Sequence, residues 1–301
     1  MFFKLKDRLR RGYFSRRVQG GLLHTAPLVL GDATAPVVLS QLQHKDVLMY
    51  LAAVKSFARK VPPSTVHVLN DGSLTPEDRT LLAQHVPGVQ FHALEDYREQ
   101  GLPTGGTWER LTAIAHLSQA RYVIQLDADT LTRGPIDEVA TAVQANCAFT
   151  IGTRNGQEIE IAREQAGWTR ANAAAATHVQ IQAEIHFDRL REAATLKYTR
   201  GCSGFAGFPA GSGKIELMHN LSSQMQKLIG DKWHEWGSEQ VMSNLLVANQ
   251  PNAQVLPHPD YTDCEKMQSD TTRFVHFIGT CRFRGGRYAD MINSLEQEGI
   301  L

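Results

Sequence analysis

The sequence is short of several things, and each shortage removes a class of protein. It has four cysteines in 301 residues, Cys147, Cys202, Cys264 and Cys281, with no CxxC pair or close zinc spacing among them. That excludes a disulfide-built scaffold and favours a reducing compartment. No run of 18 apolar residues occurs, so no membrane-spanning helix is expected. The opening MFFKLKDRLRRGYFSRRVQGG is charged but has no apolar centre, so it does not read as a secretory signal. Net charge is also missing, at zero overall, which argues against a basic nucleic-acid binder. The balance is uneven, however. Residues 1–17 hold seven basic side chains and the single acid Asp7, leaving 24 basic and 30 acidic residues in the rest of the chain.

What is present begins with that basic segment, residues 1–25. Phe2, Leu5, Leu9 and Tyr13 recur at spacings of three and four, forming one apolar stripe on a helix with cations around it. Such a segment suits either an anionic membrane surface or docking on its own domain. From residue 36, strand and helix patterns alternate. APVVLSQ, STVHVLNDGS, VQFHAL and RYVIQL read as strands. KDVLMYLAAVKSFARKV, TPEDRTLLAQHV and TGGTWERLTAIAHLSQA read as the helices between them, with Thr75 as N-cap, Pro76 at the first helical position and Asp78 at N3. This rhythm predicts an α/β fold with a mainly parallel sheet. Residues 157–197, rich in Ala, Glu, Gln and Arg, read as helices. GCSGFAGF is a Gly-rich strand, KIELMHNLSSQMQKLIG and WGSEQVMSNLLVANQ are helices, and RFVHFIG is a late strand before a helix-like tail.

The strand RYVIQL ends in Asp127-Ala128-Asp129. Carboxylates at i and i+2 of an extended segment point to the same side and repel unless a cation joins them. A hard divalent ion is the simplest cation, and the carboxyl end of a strand is where α/β sheets bind ligands. An ion held there has a natural partner in a diphosphate.

YVIQLDADTLTRGPIDEV resembles the core of GT-A glycosyltransferases, and within them the retaining family 8 branch that includes glycogenin and lipopolysaccharide galactosyltransferases. The likeness covers residues 35–290, with a helical insertion at 157–197 that matches nothing specific and a tail at 291–301. It implies a Rossmann-like GT-A fold, with a mixed, mainly parallel sheet flanked by helices. It also implies a hexosyltransferase that takes a nucleoside diphosphate sugar, UDP by preference, and acts on a glycan or lipid-linked cell-envelope acceptor. HFIGTCR resembles the branch's late motif, so His276 is implied as third metal ligand beside Asp127 and Asp129. An imidazole beside two carboxylates suits Mn2+ somewhat better than Mg2+. Arg282 stands at the motif's diphosphate-binding lysine position, and Phe283-Arg284 replaces Pro-Trp after it. Gly279 and Asp127 are implied on the donor side.

Other residues follow from the same likeness. Arg110, 17 residues before Asp127, is implied to face the donor, for which its forked donors are suited. Ser40 and Gln41 end the first strand, where the nucleotide base is received. GSEQVMSNLL resembles the family's Asp-Gln motif, with Glu239 for the aspartate. Glu239 and Gln240 are thereby implied at the reacting sugar. Cys202-Ser203-Gly204 stands where Asn-Ser-Gly is usual; Ser203 and Gly204 are implied at the donor, with altered recognition because a thiol lacks an amide's hydrogen bonds. Asp71 in LNDGS resembles an Asp-Gly-Ser of inverting GT-A enzymes but reads better as a turn before a capped helix. Trp233 and Trp236 read equally as core or as a platform for an acceptor sugar. A cytoplasmic enzyme, peripheral on the inner face of a membrane through residues 1–17, is the expectation. The rivals are a sugar nucleotidyltransferase, disfavoured because VVLSQLQHKD has no glycine loop, and a silent sugar-binding or membrane scaffold of the same fold.

Overall fold

The alternation of short apolar runs and helical stretches becomes a mixed α/β architecture in a computed structural model. It describes the backbone of residues 2–301 and every side chain except those of residues 1–5 and 280. Along the chain, the strands are β1 (Val37–Leu42), β2 (Thr65–Asn70), β3 (Gln90–Ala93), β4 (Val123–Leu126), β5 (Thr130–Thr132), β6 (Phe149–Ile151), β7 (Glu160–Ile161), β8 (Lys197–Tyr198), β9 (Cys202–Phe208), β10 (Gln254–Leu256), β11 (Tyr261–Asp263) and β12 (Phe274–His276). The helices are α1 (Phe2–Leu22), α2 (Val47–Ala58), α3 (Pro76–His85), α4 (Trp108–Leu117), α5 (Asp137–Gln144), α6 (Ala162–Ala173), α7 (Val179–Glu184), α8 (Ile215–Ile229), α9 (Ser238–Ala248) and α10 (Arg287–Gln297). Seven strands form a mostly parallel sheet in the order β10-β6-β9-β4-β1-β2-β3, flanked by helices as the strand–helix rhythm predicts. β5, β11 and β12 form a separate three-stranded sheet.

The chain divides into two units. The first comprises Met1–His92, Leu126–Ala140 and Pro259–Leu301. In it β1 and β2 pair in parallel, Ser40 opposite Val68 and Gln41 opposite Leu69. Helix α2 is buried on every side, with all its residues but Leu48 in the core. Helix α3 starts as its sequence says. Thr75 Oγ1 accepts from Asp78 N at 3.2 Å and Asp78 Oδ2 accepts from Thr75 N at 2.9 Å, with Pro76 first in the helix.

The N-terminal helix forms, but it buries a different face from the one expected. Phe14, Val18 and Leu22, spaced by four, are buried and lie in a helix that packs on α10 and α2. Phe14 meets Tyr288 and Phe283 at ring distances of 5.0 and 5.4 Å. Leu9 and Tyr13 are 66% and 60% exposed, while the side chains of Phe2 and Leu5 lie outside the described residues. The apolar partners offered by α10 decide the docked face. Leu9 and Tyr13 stay in solvent, with Lys6, Arg8, Arg10 and Arg16 exposed around them.

The second unit comprises Ala93–Gln125 and Thr141–His258. β6 pairs antiparallel with β9 and parallel with β10. The stretch at 157–197 is helical through α6 and α7, but it opens and closes on a strand pair, Glu160 opposite Tyr198 and Ile161 opposite Lys197. Its two ends therefore meet, which makes it a closed lobe of this unit.

Candidate active site

β4 stops at Leu126 and the chain turns through Asp127-Ala128-Asp129 into β5. Thr130 Oγ1 donates to Asp127 O at 2.9 Å and fixes that turn. β5 then pairs antiparallel with β12, placing His276 opposite Thr130, and Phe277 N donates to Asp129 O at 2.7 Å. This pairing delivers an imidazole from 147 residues downstream. Its Nε2 lies 3.2 Å from Asp129 Oδ1 and 3.8 Å from Asp127 Oδ2. One ligand atom from each of the three residues falls within 4.8 Å of the others.

Asp129 is buried. Burial alone would raise its pKa, but His276 and then Arg282 outweigh it and hold the carboxyl well below its usual value. Arg282 Nη2 bonds Asp129 Oδ2, and its Nε donates to Phe277 O at 3.0 Å. The resemblance implies Arg282 at a diphosphate; the structure sets its guanidinium on a carboxylate oxygen of the candidate metal cluster. A cation already sits on this cluster, and two carboxylates with one imidazole fit a divalent ion of mixed O and N ligation.

The loop bearing Arg282 holds a disulfide, which the expectation of a reducing compartment did not anticipate. Cys264 and Cys281 form a disulfide with Cα atoms 6.0 Å apart. Their 17-residue separation carries no sequence signature. It is closed because β11 and β12 run in parallel and Cys264 N donates to His276 O at 3.0 Å. Cys147 and Cys202 stand outside any disulfide. Gly279 turns this loop with a φ of 50°.

At the ends of the neighbouring strands, Ser40 Oγ donates to Leu126 O at 2.6 Å, so the hydroxyl ties β1 to the end of β4. Gln41 Oε1 is buried and accepts no hydrogen bond among the described residues, which leaves it open to a donor from water or from a ligand. Asp71 serves the turn, its Oδ1 accepting from Ser73 N at 3.0 Å and Ser73 Oγ at 2.5 Å.

The remaining expected residues gather within the second unit. Glu239, buried at the start of α9, accepts from Thr107 Oγ1 at 2.8 Å and Ser203 Oγ at 3.3 Å. Arg110, buried on α4, brings Nη2 to 3.5 Å from Glu239 Oε1. Trp108 Nε1 donates to Ser238 Oγ at 2.9 Å, joining the starts of α4 and α9. Gln240 Oε1 lies 3.4 Å from Ser203 N. Gly204 follows Ser203 in β9. Trp233 is wholly buried and donates to Ser222 Oγ at 2.9 Å, whereas Trp236 is 75% exposed with His178 edge-on at 6.1 Å.

Thr107 is a residue the sequence reading missed. Its φ is 79°, after Gly105 at 76° and Gly106 at 54°. A β-branched residue in the left-handed region is strained and persists only where its surroundings hold it. Here the hydroxyl bond to Glu239 does so. Gly-Gly before a helix was a signal for the bend, but nothing marked the threonine.

This arrangement places the chain in a class: it has the GT-A glycosyltransferase fold. The galactosyltransferase LgtC, solved with donor and acceptor sugar analogs, superimposes with a TM-score of 0.53 at 13% identity, over 88% of this chain and all of LgtC. The apo bifunctional glycosyltransferase WbbM gives a TM-score of 0.50 at 12% identity, over 89% of this chain. The chain spans 53% of WbbM's length. No protein-family model and no curated protein matches the sequence.

Proposed function

We propose that this chain is a metal-dependent glycosyltransferase that moves a sugar from a nucleoside diphosphate sugar, UDP-linked by preference, to a glycan or lipid-linked acceptor with retention. One observation carries the reading: Asp127, Asp129 and His276 converge at the end of a sheet strand although 147 residues separate the last two. A strand-terminal cluster of that composition needs a cation, and a cation beside carboxylates recruits phosphate. When bound, a divalent ion would neutralise charge building on the departing diphosphate; Mn2+ suits the imidazole better than Mg2+.

The chain's own groups take the other roles. Arg282 exchanges Asp129 for a diphosphate oxygen, since guanidinium forks serve both partners. Gln41 Oε1 accepts from the nucleobase. Glu239 takes hydrogen bonds from sugar hydroxyls while Arg110 and Thr107 hold it in place. Gln240 Oε1 faces the carbon that becomes cationic as the sugar–phosphate bond breaks. An amide is a poor nucleophile, so its work is to stabilise charge through the carbonyl dipole. The exposed indole of Trp236 offers an acceptor sugar a stacking face. Leu9 and Tyr13, with four exposed cations around them, suit an anionic membrane surface where lipid-linked acceptors reside.

A screen of nucleotide sugars for Mn2+-dependent hydrolysis or transfer tests the reading. Asp127→Asn and Asp129→Asn should each abolish turnover with circular dichroism unchanged, and EDTA should do so reversibly. Full activity in excess EDTA would overturn the proposal.

A further inference from the structure

The side-chain amide of Gln240 has two ends of opposite character, one accepting and one donating hydrogen bonds. Which end faces a developing positive charge decides whether the residue helps or opposes it. The helical lobe at 157–197, which matches no family pattern, settles that choice. Glu184, on α7, is wholly buried. It accepts from Tyr198 Oη at 2.9 Å, from Arg200 Nε at 3.0 Å and from Arg200 Nη2. Burial first, and then the Glu184 carboxylate, push the Tyr198 phenol well up, so it stays a donor.

A carboxylate gripped by a guanidinium offers acceptors to its other neighbours, so the end of Gln180 that meets it must be the NH2 group. Gln180 Nε2 indeed lies 3.0 Å from Glu184 Oε1. The oxygen end of Gln180 is thereby turned to α9, where Gln240 Nε2 donates to it at 3.3 Å. Gln240 Oε1 must then point the opposite way, toward Ser203 N. Flipping Gln240 would set oxygen against oxygen at Gln180 and NH2 against N–H at Ser203. Two mismatches of buried or half-buried groups outweigh the near symmetry of an amide.

We infer that Glu184 and Gln180 are positioning residues: a polarity relay from the helical lobe fixes the amide of Gln240 with its oxygen, not its nitrogen, toward Ser203 N, the side that the proposed function gives to the donor sugar. This rests on the proposed glycosyl transfer for its purpose, but not for its geometry. The relay also gives the lobe a task in chemistry, because it carries both Glu184 and Gln180.

Gln180→Leu cuts the relay and leaves the Glu184–Arg200 pair intact; Gln180→Met, unbranched and of similar length, serves if the leucine variant does not fold. The assay is the side-chain amide of Gln240 in 15N-labelled protein, assigned by its loss in Gln240→Glu, together with steady-state kinetics on the best nucleotide sugar. In the parent one Gln240 Nε2 proton should exchange slowly. In the variant that protection should vanish and kcat should fall about ten- to a hundredfold, with KM within about twofold, as expected when a reacting-site group loses its orientation. Parent-like amide exchange overturns the relay, and so does a lost protection with unchanged kcat. A parent that turns over no nucleotide sugar, but whose Gln240 amide loses protection in the variant, keeps the relay and removes the proposed function.

Discussion

Replacing Arg282 with alanine should make the metal-free protein bind manganese more tightly, although it removes a residue assigned to the donor. The guanidinium bonds Asp129 Oδ2 while Asp129 also faces His276. An ion entering the cluster must take that oxygen from Arg282. The metal-free parent therefore holds a stabilising pair that the loaded protein gives up. A charge-assisted hydrogen bond at a largely buried site contributes about 1.5 kcal/mol net. That energy appears twice in Arg282→Ala: as stability lost by the metal-free chain, and as affinity gained by the metal, about tenfold. With UDP present the order should reverse, because the diphosphate has lost its cation and ternary binding weakens. Calorimetric titration of MnCl2 into chelator-stripped protein, with and without UDP, reads both effects. Manganese binding no tighter than in the parent, together with an unchanged denaturation midpoint, would refute the competition between Arg282 and the ion.

Three further outcomes follow from neighbouring geometry. His276→Ala should weaken manganese more than magnesium, narrowing the preference, since the imidazole is the cluster's one nitrogen ligand; competition titration of the two ions checks it. Lys55 donates to Thr25 Oγ1 at 2.6 Å and to Ala26 O at 2.5 Å, pinning the chain after α1. Burial lowers its pKa to about 8, so between pH 8 and its unfolded value the unfolded chain binds more protons and stability rises with pH. Lys55→Met should remove that rise, as read by urea denaturation across pH. Replacing both Leu9 and Tyr13 with serine should weaken binding to anionic vesicles while soluble-acceptor turnover persists, and salt should weaken the parent's binding likewise, because each exposed cation contributes about 1 kcal/mol; a parent that ignores such vesicles at low salt makes α1 a docking helix only.

The parts of this fold legible in the sequence are those where one local rule acts alone. Thr75-Pro76 opens α3 because capping is decided within four residues. RYVIQL ends where its aspartates begin because the apolar run stops there. The strands β5, β6, β10 and β11 are three residues each, too short for alternation to show. Helix α1 was legible as a helix, but its buried face was not. Period identifies a stripe, and only a partner such as Tyr288 decides which stripe is used.

The helical lobe shows the same limit from its polar side. Ala-, Gln- and Glu-rich helices have the composition of a solvated surface, and Glu184 has no local feature that sets it apart from Glu164. What buries it is Arg200, sixteen residues on and beyond the strand pair that closes the lobe. An isolated carboxylate could not be buried there at a bearable cost; one with a bidentate arginine and a phenol can. Once buried and saturated with donors, it imposes a direction on the amides that touch it, Gln165 and Gln180, and through Gln180 on Gln240. Hydrogen-bond polarity of this kind depends on the order of donors and acceptors along a path through the fold, not on spacing along the chain. The candidate metal cluster could be found from a motif and a late strand, but the relay we infer behind Gln240 could be found only by following which end of each amide must face the next.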